Sequence, residues 1–167
     1  MSQLTLKHSV RSLLFLSLLV LLIPLSIGAN ERFVDNGDGT FSDHKLKLMW
    51  SQTDNGGDIT WENAYRWVKY NFYYLLPGNK YDDWRMPTVE ELKTLYVDDE
   101  SFEGKSTACG VTVKVIPQLD LSCGWVWAAK SSTLSATVFT FRLGYPFSDL
   151  KMNKKAHRVL AVRDIKQ

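Results

Sequence analysis

Cysteine and histidine are scarce in this chain. It holds two of the first and three of the second. Cys109 and Cys123 have neither C-x-x-C spacing nor a nearby His, which argues against a redox dithiol or a zinc site. His44 and His157 are the only histidines beyond residue 29, and neither sits in a Gly-x-Ser-x-Gly or comparable setting. A nucleophile, a base and an orienting group therefore have no visible home. Also absent are a phosphate-cradling glycine loop, a dinucleotide fingerprint, internal repeats and low-complexity stretches. Charge of one sign is missing too. From residue 30 onward 18 bases face 18 acids, so the chain as a whole is no polyanion binder by charge, and nucleic acid is not an expected partner.

The N-terminus is the clearest positive feature. Lys7, His8 and Arg11 precede an apolar run from Leu13 to Ile27, broken only by Ser17, Pro24 and Ser26. Small residues follow at Gly28 and Ala29. That is the order of a secretory signal. The run is shorter than the roughly 20 residues that span a bilayer comfortably. The expectation is a signal over residues 1–29, removed to leave one domain over residues 30–167 with no stable membrane span; an uncleaved anchor is the alternative. No Cys near the cut offers a lipid attachment point. Export places the domain in the periplasm, at the cell surface or in the medium. In such a setting Cys109 and Cys123 are expected to form a disulfide.

Charge is unevenly spread. Residues 30–103 carry 15 acids against 8 bases, and residues 142–167 carry 7 bases against 2 acids. The two regions could face each other in the fold.

Local patterns suggest the elements. Asp35-Asn36-Gly37-Asp38-Gly39 between Phe33-Val34 and Thr40-Phe41 predicts a β-hairpin. Leu46, Leu48 and Trp50 alternate as one face of a strand. Thr60 is placed to cap a helix whose stripe is Trp61, Ala64, Tyr65, Val68 and Phe72. Thr88 and Glu91 form a capping box before Val89, Leu92, Leu95 and Tyr96. Val111–Ile116 alternates weakly. Trp125–Ala129, Val138–Leu143 and Val159–Val162 are β-branched and aromatic, as strands are. The order predicts an α+β fold, two helices packed on a mostly antiparallel twisted sheet with long loops.

Several of these motifs, in this order, resemble a known family. They are Arg32-Phe33-Val34-Asp35-Asn36-Gly37-Asp38-Gly39-Thr40, Leu48-Met49-Trp50, Thr60-Trp61-Glu62-Asn63-Ala64, Asp83-Trp84-Arg85-Met86-Pro87-Thr88 and Val159-Leu160-Ala161-Val162-Arg163. Together they are similar to the bacterial DUF1566 or Lcl C-terminal domain family, named for part of a collagen-like surface adhesin. The resemblance covers about Arg32 to Arg163. It implies a C-type-lectin-like fold, related to that of formylglycine-generating enzymes, and binding or adhesion more often than catalysis. The chain departs from the family pattern at Leu160, where an Arg is usual, and at Ala128 and Ala129, where serines are usual. The Cys109–Cys123 region looks like an insertion.

Candidate sites follow. Asp35, Asn36 and Asp38 partly match a calcium loop, although Leu46 stands where an EF-hand needs Glu; a tight hairpin explains the same residues. Asp82 and Asp83 are adjacent on an extended chain and point apart, which argues against paired acid–base work. Trp50, Trp61, Trp84, Arg85 and Arg163 read as structural, with Arg85 in an ion pair. Tyr73, Tyr74 and Tyr81 fall outside the helical stripe and are candidates for a sugar or protein contact. Lys151, Lys154 and Lys155, in an expected loop from Asp149 to Lys155, could meet an acidic glycan. The expectation is an exported, non-catalytic module recognising a glycan or a protein surface. The alternatives are a structural subunit of an envelope assembly and an enzyme on the formylglycine-generating scaffold.

Overall fold

A computed structural model describes residues 31–166; the signal expected over residues 1–29 lies outside them. Two four-stranded sheets organise the chain. The first has the order β1 (Phe33–Asp35), β2 (Thr40–Asp43), β3 (Leu48–Ser51), β10 (Val162–Asp164), all antiparallel. The second has the order β8 (Tyr145–Leu150), β7 (Ser135–Thr140), β6 (Trp125–Ser131), β9 (His157–Arg158), with only the last pair parallel. A short ribbon of β4 (Lys105–Ser106) and β5 (Thr112–Val113) completes the strands. Helices α1 (Trp61–Arg66) and α2 (Val89–Lys93) make the expected α+β arrangement. No helix among the described residues is long and apolar enough to cross a membrane.

Both predicted helix starts are present. Thr60 Oγ1 accepts from Asn63 N, and Thr88 and Glu91 close a full capping box. The first helix then changes pitch. Ala64, Val68, Phe72 and Leu76 are buried and recur every fourth residue, a longer step than the 3.6 residues of an α-turn. The backbone widens to a π-turn over Trp67–Asn71 before a 3-10 turn over Phe72–Leu75. That widening keeps Val68 and Phe72 against one apolar neighbourhood. Tyr65, expected in the buried stripe, is instead 46% exposed.

Other boundaries also differ from expectation. The buried Asp43 carboxylate accepts from the N–H groups of Lys45 and Leu46. The chain therefore turns there, β3 starts only at Leu48, and Leu46 is exposed. The strand expected over Val138–Leu143 lies earlier, as β7. The strand expected over Val159–Val162 starts only at Val162, in β10; residues 159–161 instead carry the chain from the second sheet to the first. There Ala161 O accepts from Ser51 N and Val159 N donates to Asn55 Oδ1. Strand β8 occupies part of the expected Asp149–Lys155 loop. Pro146 lacks an N–H, and the edge position of β8 accommodates it.

Two apolar clusters fill the interior. Trp50, Leu92, Val126 and Phe139 belong to one; Val68, Phe72, Trp84, Trp127 and Val138 belong to the other. Val126 and Trp127 are successive residues of β6, so the second sheet feeds both through its alternating faces. Trp50, Trp84 and Trp127 are essentially fully buried, each worth about 3 kcal/mol of burial by transfer arithmetic.

Candidate ligand-binding surface

The predicted site residues divide into those that build the body and those that face outward. Arg85 makes a two-pronged contact with Glu91, Nη1 to Oε2 at 2.9 Å and Nη2 to Oε1 at 2.7 Å, and reaches Asp164 at 3.2 Å. The Glu91 hydrogen bonds push the guanidinium pKa up. Burial alone would raise the Glu91 carboxyl, but hydrogen bonds from Arg85 and Thr88 outweigh it and hold it below its ordinary value. Arg163 binds Asp83 in the same way, Nε to Oδ1 at 2.6 Å and Nη2 to Oδ2 at 3.2 Å. That contact holds the Asp83 carboxyl at about 2. Asp82 is exposed and does not join it. Of the residues read as structural, Trp50 and Trp84 are buried and Arg85 and Arg163 are ion-paired, while Trp61 is only partly buried.

At Asp35, Asn36 and Asp38, read as a partial calcium loop or a tight hairpin, the side chains bond within the hairpin. Asp35 Oδ1 accepts from Gly37 N at 2.7 Å, and Asp38 Oδ1 accepts from Thr40 N at 3.2 Å. Asn36 Oδ1 takes the Ser42 hydroxyl at 3.1 Å, and its Nδ2 donates to Thr40 Oγ1 at 2.9 Å. The oxygens serve the hairpin. Among the described residues no group of three or more His, Cys, Asp or Glu converges as a metal site would require. Cys109 and Cys123 are joined as a disulfide.

Tyr73 is half-buried against the second apolar cluster. Tyr74 is 61% exposed beside it, with ring centroids 3.9 Å apart. Tyr81 lies over the Arg163 guanidinium at 4.0 Å and edge-on to Trp84. Lys151 is not a free loop lysine. Its Nζ sits 4.3 Å above the Trp61 ring and 3.4 Å from Glu62 Oε1, and its carbonyl accepts from Trp61 N. Lys154 and Lys155 remain exposed in the turn before β9.

Sequence reading missed what these contacts connect. Trp61 stacks on Tyr65, ring centroids 6.1 Å apart. Glu62, Tyr65 and Lys69 sit at i, i+3 and i+7, one side of a helix, and all three are exposed. On one flank of this row lies a depression of about 550 Å³ lined by Thr60, Glu62, Leu134, Leu150, Lys151 and Met152. On the other lies a cavity of about 220 Å³ lined by Tyr65, Lys69, Asp83, Trp84, Arg85 and Met86. A band thus runs from Leu134 and Met152, across Lys151, Trp61 and Tyr65, to the Asp-Trp-Arg-Met motif and Tyr81. The exposure of Tyr65 within an apolar stripe was not visible in the sequence. The partner of Lys151 lies 90 residues away.

A second polar network was also missed. Asp54 is buried and accepts from Ser122 N and Oγ at 2.7 and 2.8 Å. Arg158 donates to Ser122 Oγ at 2.7 Å and to Asp58 at 2.8 Å. The Arg158 hydrogen bond lowers the Asp58 pKa. His157 stacks on Trp127 at 4.5 Å rather than approaching that serine. Its Nε2 is 3.1 Å from Asp149 Oδ2 but off the line of a hydrogen bond. The network ties the loop after β3 to β9 and to the disulfide-bearing segment.

Residues 39–163 match the Lcl C-terminal domain. The chain belongs to the Lcl C-terminal domain family. A search of curated proteins finds no match to it. Within the matched span of this Lcl C-terminal domain fall β2 and β3, both capped helices, the Asp-Trp-Arg-Met-Pro-Thr segment and Arg163. The departures at Ala128 and Leu160 have a structural reading. Both side chains are fully buried, and the Ala128 carbonyl accepts from Trp61 Nε1 at 2.9 Å. The backbone of β6 thus helps orient the central aromatic of the band.

Proposed function

We propose that this Lcl C-terminal domain is an exported, non-catalytic module that binds a glycan along the band across α1. The observation that carries the reading is the half-exposed Trp61–Tyr65 stack with Lys151 pinned over it. Rigid aromatic faces beside a fixed cation and flanking depressions suit sugar rings and their hydroxyls. From Thr60 to Lys69 the helical rise alone gives about 13 Å, the scale of a short oligosaccharide. The signature ionisable groups support the non-catalytic part, because Arg85, Glu91, Asp83 and Arg163 are engaged with one another. The disulfide supports an oxidising compartment and therefore export. Short helices on mostly antiparallel sheets support a C-type-lectin-like fold of the kind shared with formylglycine-generating enzymes.

The test is a glycan array probed with the exported, oxidised protein at physiological salt. Binding is expected, and Trp61→Ala should weaken it by about fivefold, since one stacked aromatic contributes about 1 kcal/mol beyond area burial. A blank array would remove the glycan reading. A second reading, an interaction subunit of an envelope assembly, is favoured by the exposed Leu134 and Met152, 74% and 76% accessible. That reading predicts a stable complex that Leu134→Asp disrupts.

A further inference from the structure

The segment after Glu62 carries a face that the glycan reading does not use. Ala64, Val68, Phe72 and Leu76 are its buried side. With that repeat of four, the residues two positions on, Arg66, Tyr70 and Tyr74, stand on the opposite side. All three are exposed, Tyr70 at 59% and Tyr74 at 61%, and Leu75 beside them is 67% exposed. This crest is firmly seated. Tyr74 lies on the half-buried Tyr73, ring centroids 3.9 Å apart, and the buried Phe72 beneath packs edge-on against Trp84 at 4.8 Å. Large apolar side chains that cluster outside a packed body mark a contact surface. Charge narrows the kind of partner. Residues 30–103 hold 15 acids against 8 bases, yet residues 63–81 within them hold no acid and three bases, Arg66, Lys69 and Lys80. The three are exposed, and none makes an ion pair among the described residues. A basic, aromatic island in an acidic region is complementary to an anionic surface. Neither the depression beside Lys151 nor the cavity beside Trp84 is lined by Arg66, Tyr70, Tyr74 or Leu75, so the crest meets a broad surface rather than a small ligand. Tyrosine and leucine interleaved with lysine and arginine suit the headgroup level of a bilayer, with apolar tips below the phosphates and cations among them.

We propose that the crest of Arg66, Tyr70, Tyr74 and Leu75 seats the exported domain on the anionic headgroups of a lipid bilayer, as a peripheral contact and not a span. Tyr70, Tyr74 and Leu75 enter the interface, and Arg66, Lys69 and Lys80 pair with lipid phosphates. The crest does this whether or not the band binds a glycan, and a blank array leaves it standing.

The experiment is co-sedimentation of the exported, disulfide-bonded protein with vesicles of phosphatidylglycerol and phosphatidylcholine in equal parts, and with phosphatidylcholine alone. Binding to the mixed vesicles is expected, and it should fall as salt screens the charges. On phosphatidylcholine alone it should be weaker by at least about tenfold, since each base near an anionic surface contributes about fivefold. Arg66→Gln should weaken binding to the mixed vesicles by about fivefold. Tyr74→Ser combined with Leu75→Ser should weaken it by at least about tenfold through lost apolar burial. These side chains are exposed, so the variants should melt with the native protein, and calorimetry checks that each is folded. Where residues 1–29 are retained, their apolar run contributes equally to every variant, so only a loss in the variants counts for the crest. No sedimentation with the mixed vesicles overturns the proposal, and so does binding that the folded variants keep in full. Equal binding to phosphatidylcholine alone overturns the recognition of charge. Self-association that the serine variants abolish, without vesicle binding, overturns the lipid partner and assigns the crest to a second copy of the chain.

Discussion

Asp83 is bound by a partner 80 residues away, and that partner sets its protonation. The Arg163 hydrogen bonds hold its carboxyl at about 2 against an ordinary 3.8. A carboxyl depressed in the folded state stabilises fully above its unfolded pKa and loses that contribution as pH falls through its folded value. The stability difference between the native protein and Asp83→Asn should therefore be constant near neutrality. It should shrink as pH drops from about 4 toward about 2. Because the side chain is 28% exposed, solvent screening keeps the plateau at about 1 kcal/mol or less. Urea midpoints measured across this range check it. A difference that grows on acidification would show that Arg163 does not hold the carboxylate.

At the level of elements, α2 is a five-residue helix that depends on one side chain. Glu91 closes the capping box through Thr88 N at 2.7 Å and also takes both Arg85 contacts. Glu91→Gln keeps a capping acceptor but removes the charge, and should cost about 1–2 kcal/mol. Glu91→Ala removes both roles and should cost about 3 kcal/mol, a capping loss of about 1 added to the charged hydrogen bonds. Chemical denaturation ranks the two, and equal losses would mean that the box contributes nothing. This helix also shows what a sequence reveals. Thr88 and Glu91 are three residues apart, so the box could be read directly, as could the Thr60 cap and the Asn-Gly hairpin. Strand β8 was hidden because Pro146 and the following polar residues read as loop, and only its edge position makes them acceptable. The crossing at residues 159–161 keeps a β-like apolar run but bonds to Ser51 and Asn55. The band was the least legible feature. Lys151 over Trp61, and Lys69 beside Asp83 and Arg85, are neighbours only after both sheets have formed.

For the molecule as a whole, the Cys109–Cys123 disulfide encloses the stretch that inserts Val113, Val115, Leu119 and Leu121 into the first apolar cluster. These side chains are at most 4% exposed, and the stretch has little regular structure: β5 pairs only with β4, and single backbone bonds such as Lys114 N to Phe141 O and Asp120 N to Gln52 O tie the rest down. Closing a loop of this length restricts the unfolded chain by about 3 kcal/mol in the entropy model. Replacing both cysteines with serine should then lower the melting temperature by about 10 °C. The same pair would make yield depend on an oxidising compartment, which links export to folding. No lining residue of the depression beside Lys151 lies between Cys109 and Cys123. Below its lowered melting temperature the double-serine protein should therefore bind the glycan array as the disulfide-bonded protein does. Calorimetry and that array together separate the two roles. Coincident melting of both proteins would show that the apolar contacts of Val115 and Leu119 suffice. Loss of array binding in a still-folded variant would show that the disulfide reaches the ligand surface after all.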